Sequence, residues 1–141
     1  MRYVIDASAV LKSLLAETDS APADALIASH RDGSSSLIAP DLIVAEVGNA
    51  LWKRCEIRRQ ITAREAREAF TDFLALGVLL HPSAALAGAA MNIAIREHHP
   101  IYDCFYIALA EQASCAFVTA DEKLRTKFKR HSIIGLSSFT T

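Results

Sequence analysis

Four acidic residues stand where apolar sequence meets a turn or a helix start: Asp6, Glu46, Asp103 and Asp121. Asp6 closes the run Arg2-Tyr-Val-Ile5, and Glu46 interrupts Leu42-Ile-Val-Ala45 and Val47. Asp103 opens Cys104-Phe-Tyr-Ile-Ala-Leu-Ala110, and Asp121 comes just after Ala116-Phe-Val-Thr119. Apolar flanks bury the neighbouring backbone, where an ionised carboxylate is costly unless paired or bound to a metal. Four that converge make an anionic pocket of oxygen donors, which suits Mg²⁺ or Mn²⁺ and phosphoryl chemistry. Gathered carboxylates repel, so at least one should bind its proton more tightly than usual until a cation arrives. Metal affinity should then fall as pH drops.

Each acid also has a plain structural reading. Asp6, Asp103 and Asp121 sit where Asp caps a helix or favours its first turn. Glu46, with Asn49, Lys53 and Glu56, follows the stripe of a solvated helix face and alone reads as surface. The joint occurrence of all four within the most apolar sequence is what favours a site.

Other reactive types carry less. His98 and His99 end a helix, while His30, His81 and His131 are scattered, and all five read as surface or cap residues. Hard cations prefer oxygen in any case. Cys55, Cys104 and Cys115 form no CxxC pair and are odd in number, so they read as reduced thiols rather than a disulfide framework or zinc site. Cys104, flanked by apolar residues, reads as an inert buried thiol. Trp52, Phe105 and Tyr106 lie on helical periods and read as core or dimer contacts. Small residues along Ala84, Ala87, Gly88 and Met91 would let another helix approach closely.

The formal net charge is −1, so the molecule as a whole does not advertise nucleic-acid binding. Basic residues nevertheless cluster at Lys53, Arg54, Arg58 and Arg59, and again at Lys123, Arg125, Lys127, Lys129 and Arg130. Solvated helix ends and contact with a phosphate backbone both account for such clusters. Lys53, Arg54, Lys123 and Arg125 are the candidates for the second role.

The elements that must position these groups alternate between strand and helix. The pattern predicts strands over Tyr3 to Asp6, Leu37 to Ala39, Val78 to Leu80, Ala116 to Thr119 and Ile133-Ile134. Between them it predicts helices from Ala9 to Ala16, from Ser20 to Arg31 with Pro22 in the first turn, and from Leu42 to Arg58. A capping box, Thr62-Ala-Arg-Glu65, opens the next helix, which ends near Gly77. Helices from Ser83 to Glu97, stopped by His98-His99-Pro100, from Tyr102 to Ala113 and from Glu122 to Lys129 complete the chain. Short apolar strands separated by helices imply a mainly parallel sheet covered on both faces. Asp6 and Asp121 each follow a strand, which puts them on one edge of such a sheet, where ligands gather.

At 141 residues the chain fits one domain, residues 1–141, with a substantial core. The hydrophobic share is 52% and the mean hydropathy +0.22, which leaves room for a surface covered by a partner. Ala84 to Ile95, broken by Asn92, is too short to span a bilayer, and the N-terminus does not read as a signal peptide. These features point to a cytoplasmic protein.

Taken in order, Val4-Ile-Asp6-Ala-Ser8-Ala-Val10, Ala39-Pro-Asp-Leu-Ile-Val-Ala-Glu46-Val-Gly-Asn49-Ala-Leu-Trp52, Ile101-Tyr-Asp103-Cys-Phe-Tyr-Ile-Ala-Leu-Ala110 and Val118-Thr-Ala-Asp121 resemble the four motifs of the PIN domain. The closer resemblance is to the VapC-type toxins of toxin–antitoxin pairs, over essentially the whole chain. It implies a three-layer α/β/α sandwich and a metal-dependent ribonuclease. Asp6, Glu46, Asp103 and Asp121 would hold one or two Mg²⁺ ions, with Mn²⁺ as a substitute, supported by Ser8, Asn49 and Thr119. It further implies products with a 5′-phosphate and a 3′-hydroxyl, a homodimer, and inhibition by a small antitoxin through which alone operator DNA would be met.

Two rival readings come from other classes. An aspartate-phosphorylating receiver or phosphatase-like module needs paired acids or Asp-x-Asp after its first strand, whereas Asp6 is followed by Ala7 and Ser8. A catalytically silent regulatory subunit, binding only an antitoxin, would have no need of four intact acidic positions.

Overall fold

The structure is a computed structural model that describes residues 1–139. Five strands, β1 (Arg2–Ile5), β2 (Ser36–Pro40), β3 (Leu79–His81), β4 (Ala116–Thr119) and β5 (Ile133–Gly135), form one sheet in the order β3-β2-β1-β4-β5. All four pairings are parallel, with Val4 of the central strand opposite Ile38 on one side and Phe117 on the other. The apolar runs end up here because parallel strands bury both faces. Val4, Ile5, Leu37, Ile38, Phe117 and Val118 are all essentially inaccessible.

The covering layers are α1 (Ala7–Leu14), α2 (Ala21–Arg31), α3 (Ile43–Trp52), α4 (Ala63–Ala75), α5 (Ser83–Glu97), α6 (Ile101–Gln112) and α7 (Glu122–Lys127). Right-handed crossovers send α1 to α4 to one face, as the chain steps from β1 out to β3. The return to β4 and β5 sends α5 to α7 to the other. Contacts agree: α1 touches α2, α3 and α4, while α5 lies along α6, which packs on β1, β2 and β4. A Cβ at Gly48 would meet Cζ of Phe70 at 3.2 Å, so glycine is what allows α4 to lie so close to α3.

Most predicted elements are present, and two differ instructively. The helix expected from Leu42 to Arg58 is α-helical only to Trp52, then widens into a π-turn over Lys53–Ile57 closed by Arg58 N–H to Lys53 O at 2.9 Å. Such turns re-aim the side chains that follow and recur at functional sites. The helix expected to reach Lys129 stops at Lys127, because Phe128 turns into the core. The capping box is formed, with Glu65 N–H donating to Thr62 Oγ1 and Thr62 N–H to Glu65 Oε1, both at 3.1 Å. Among the described residues, no helix is long and apolar enough to cross a membrane.

Order of strands and position of acids now connect. β1 and β4 are parallel neighbours that send their connections in opposite directions, so a crevice opens beyond their carboxyl ends. Asp6 and Asp121 both border it.

Candidate active site

Asp6 is the first residue beyond β1, and its buried carboxylate does two jobs. Oδ1 accepts Ala9 N–H at 3.0 Å, which caps α1, and the Ser8 hydroxyl at 2.7 Å. Oδ2 accepts the Thr119 hydroxyl at 2.6 Å from the end of β4. A hydroxyl has one hydrogen to give, and both Ser8 and Thr119 give theirs to Asp6. Each then accepts a backbone N–H from the next turn: Ser8 Oγ from Ala120 at 3.1 Å, and Thr119 Oγ1 from Asp121 at 3.0 Å. The two strand ends are thereby stitched around one carboxylate. Burial pushes Asp6 up to about 6, against these hydrogen bonds and with help from the charge of Asp103.

Glu46 lies in the first turn of α3, half-buried, where the Tyr106 hydroxyl donates to Oε1 at 2.9 Å. Burial pushes it up to about 7; the tyrosine lowers it, and the charges of Asp103 and Asp6 raise it further. Asp103 begins α6, and its Oδ2 meets His99 Nε2 at 2.7 Å. Asp121 caps α7, accepting Leu124 N–H at 3.1 Å. Glu46, Asp121, Ser8 and Asn49 line a cleft of ≈ 570 Å³ whose wall also carries Lys53 and Arg54.

Asp6, Glu46 and Asp103 thus lie within reach of one another's charge; Glu46 and Asp121 line the cleft, whereas Asp6 and Asp103 do not. Among the described residues, no three acidic, histidine or cysteine side chains stand close enough together to hold an ion as they are. The donor set nonetheless fits a hard divalent cation. All donors are carboxylate oxygens, and Glu46, Asp103 and Asp121 each use one oxygen in a hydrogen bond within the chain, leaving the other for an outside ligand. Lys123 and Arg125 do not line the cleft, and Arg125 is tied to Glu122 at 2.7 Å.

Several histidines correct the expectation of surface residues. The His99 side chain is only 16% exposed and holds Asp103. His131 is enclosed between Glu111, at 2.7 Å, and Glu97, at 3.5 Å. His30 binds Leu37 N–H and lies 3.1 Å from Leu76 O. His98 does end α5, in a left-handed conformation. Tyr106 is core, as its period implied, but its hydroxyl also serves Glu46. Helical spacing carried a signal for both new residues, since His99 precedes Asp103 by four positions and Tyr106 follows it by three. Pro100 obscured the first by marking a helix start. The Cys104 thiol is buried, as expected, and burial pushes it up to about 11.

The chain is similar to known proteins in both sequence and fold. The PIN domain family model matches residues 3–129. Ribonuclease VapC9 of Mycobacterium tuberculosis is 36% identical over 121 residues, covering 86% of this chain and 87% of that protein. Among solved structures, PAE2754 from Pyrobaculum aerophilum shares the fold with a TM-score of 0.70 at 24% identity, covering 98% of this chain and 91% of the other. VapBC2 from Rickettsia felis, bound to a DNA fragment from its promoter, gives a TM-score of 0.65 at 13% identity, over 96% of this chain and 98% of the other.

Proposed function

Because the chain belongs to the PIN domain family, we propose that it is a divalent-cation-dependent endoribonuclease and the toxin of a toxin–antitoxin pair. The cation is Mg²⁺, with Mn²⁺ as a substitute, and residues 1–141 act as one nuclease domain in the cytoplasm. The observation that carries this reading is the trio of carboxylates Asp6, Glu46 and Asp103. Their burial and mutual charge raise two of them to about 6 and about 7, a state that a cation would relieve.

A divalent cation held there would supply a water acidic enough to attack a phosphodiester near neutral pH and would offset charge on the phosphate. The chain's own residues do the rest. Ser8 and Thr119 fix the Asp6 carboxylate, and Tyr106 fixes that of Glu46. Asp103 or Asp121 orients the attacking water through its remaining oxygen. Asn49, one turn along α3 from Glu46, faces the same cleft. Lys53 meets the RNA backbone on the cleft wall, and Arg54 does so once released from Glu17, while Lys123 and Arg125 would reach only RNA extending beyond it. The products carry a 5′-phosphate and a 3′-hydroxyl.

The partners proposed are a small antitoxin, operator DNA met only through it, and a second copy of this chain. Relatives named as VapC ribonucleases and a fold shared with a VapBC complex on DNA support the first two. For the third, the small stripe Ala84, Ala87, Gly88 and Met91 is uncovered within this chain, and Ile95 beside it is exposed. Sedimentation of the isolated protein should therefore give the mass of two chains, and a monomer at micromolar concentration would remove the dimer.

The deciding experiment is cleavage of total tRNA and ribosomal RNA by antitoxin-free protein, with Mg²⁺ or Mn²⁺, an EDTA control, and Asp103→Asn alongside. Metal-dependent cuts lost in the variant are expected. Mn²⁺ binding without cuts on any RNA would favour a silent regulatory subunit, and absence of Mn²⁺ binding would sink the carboxylate site.

A further inference from the structure

The contact between His99 and Asp103 does not end at His99. Its other ring nitrogen, Nδ1, lies 2.8 Å from the Lys127 ammonium, and the same ammonium donates to His98 O at 3.2 Å. We infer that Lys127 and His99 form a positioning relay that locks His99 as its Nε2–H tautomer and thereby fixes the carboxylate of Asp103 for its ligand. The inference rests on the proposed role of Asp103 in a cation site.

The direction of each hydrogen bond follows from what the groups can do. An ammonium has three donors and no acceptor. At 2.8 Å, Nδ1 must therefore present its lone pair to Lys127, which places the single ring hydrogen on Nε2. Nε2–H then donates to Asp103 Oδ2 at 2.7 Å. The consequence matters for the carboxylate: the Nε2–H donor holds Oδ2 of Asp103 and leaves Oδ1 for an outside ligand. Ligating carboxylates are commonly held by such outer partners.

Three features keep the ring in place. Phe128 meets it edge to face, with centroids 4.9 Å apart. His98 turns the chain at the end of α5 with φ 51, delivering His99 to the start of α6 one helical turn before Asp103. Lys127 fastens that turn by binding His98 O as well as His99. Lys127 is also the last residue of α7, the helix that Asp121 caps at its other end. One short helix therefore has Asp121, which lines the cleft, at one end and the cation that orients Asp103 at the other.

A lysine that merely caps α5 would make the same contacts, so the test reads the ring and the metal site rather than activity alone. In full-length, metal-free protein labelled with ¹⁵N-histidine, long-range ¹H–¹⁵N correlation should show His99 as a single Nε2–H tautomer, with that preference lost in Lys127→Met. Calorimetric titration with Mn²⁺ in the absence of RNA should show His99→Ala weakened about tenfold or more. His99→Gln, whose amide can donate to Asp103 and accept from Lys127, should recover most of that affinity. An Nδ1–H tautomer in the wild type overturns the relay. So does His99→Ala binding Mn²⁺ like the wild type while Asp103→Asn is weakened. Should Asp103→Asn also bind normally, the cation site itself fails and the relay falls with it. If His99→Ala does not fold, the wild-type spectrum, Lys127→Met and His99→Gln still decide the matter.

Discussion

At the scale of single residues, the structural and functional readings of Asp6 turn out to be compatible. Its carboxylate caps α1 through one oxygen and is cradled by two hydroxyls. The position of Asp6 was legible because a strand-ending acid in apolar sequence is locally encoded. The role of Tyr106 was not, because it depends on Glu46, 60 positions away, whose approach only the packed helices decide; that of His99 is local, but Pro100 masked it by marking a helix start. Burial raises Asp6 from 3.8 to about 6 and Glu46 from 4.5 to about 7. Between those limits the folded chain binds more protons than the unfolded one, so this contribution to stability falls as pH rises through the window. Asp6→Asn removes the Asp6 share, roughly 2–3 kcal/mol at neutral pH for a shift of about two units. In EDTA, the melting temperature of Asp6→Asn relative to wild type should therefore climb from about pH 4 to about pH 6, while metal-dependent cleavage is lost. The difference is the informative quantity, since Glu17, held below its usual range by Lys12 and Arg54 against burial, pulls stability the opposite way. A flat difference would mean that Asp6 is ionised at no cost in the fold.

At the scale of elements, local chemistry decided most boundaries. Ser83–Glu97 stops where His98-His99-Pro100 stops it, and Thr62 and Glu65 close a capping box without tertiary help. The π-turn at Lys53–Ile57 left no such mark, because its wider bond gives up local regularity for the direction in which Lys53 and Arg54 emerge. The premature end of α7 has a similar cause: Phe128 is buried against His99 and cannot continue on an exposed helix. α4 lies outside the cleft, so its cap separates stability from chemistry. Thr62→Ala should cost about 1 kcal/mol, or about 3–6 °C in melting temperature for a chain of this size. Mn²⁺ affinity should be unchanged. Weakened Mn²⁺ binding in Thr62→Ala would show that α4 transmits strain to the site through Gly48 and Phe70.

For the whole molecule, a net charge of −1 means that attraction for RNA must be local. The cleft wall holds four cations, Lys12, Lys53, Arg54 and Arg58, but they are not equivalent. Glu17 binds two of them, Arg54 Nη1 at 2.5 Å and Lys12 Nζ at 3.1 Å, whereas Lys53 and Arg58 make no ion pair among the described residues. The wall therefore presents less positive charge than its sequence implies, with Glu17 setting the level. Lys53→Ala should raise KM for RNA with little change in kcat, and should shallow the salt dependence of binding by about 0.7 in log–log slope, one contact's worth for a single strand. Glu17→Gln should do the reverse, freeing Lys12 and Arg54 to meet phosphates, tightening binding at low salt and steepening its dependence. Fluorescence anisotropy of a short single-stranded RNA across a salt series, with an Asp103→Asn background to prevent cleavage, reads both effects. If Glu17→Gln instead weakened binding, the pairs to Lys12 and Arg54 would be holding those side chains in the geometry RNA needs, and Glu17 would be part of the binding surface rather than a brake on it.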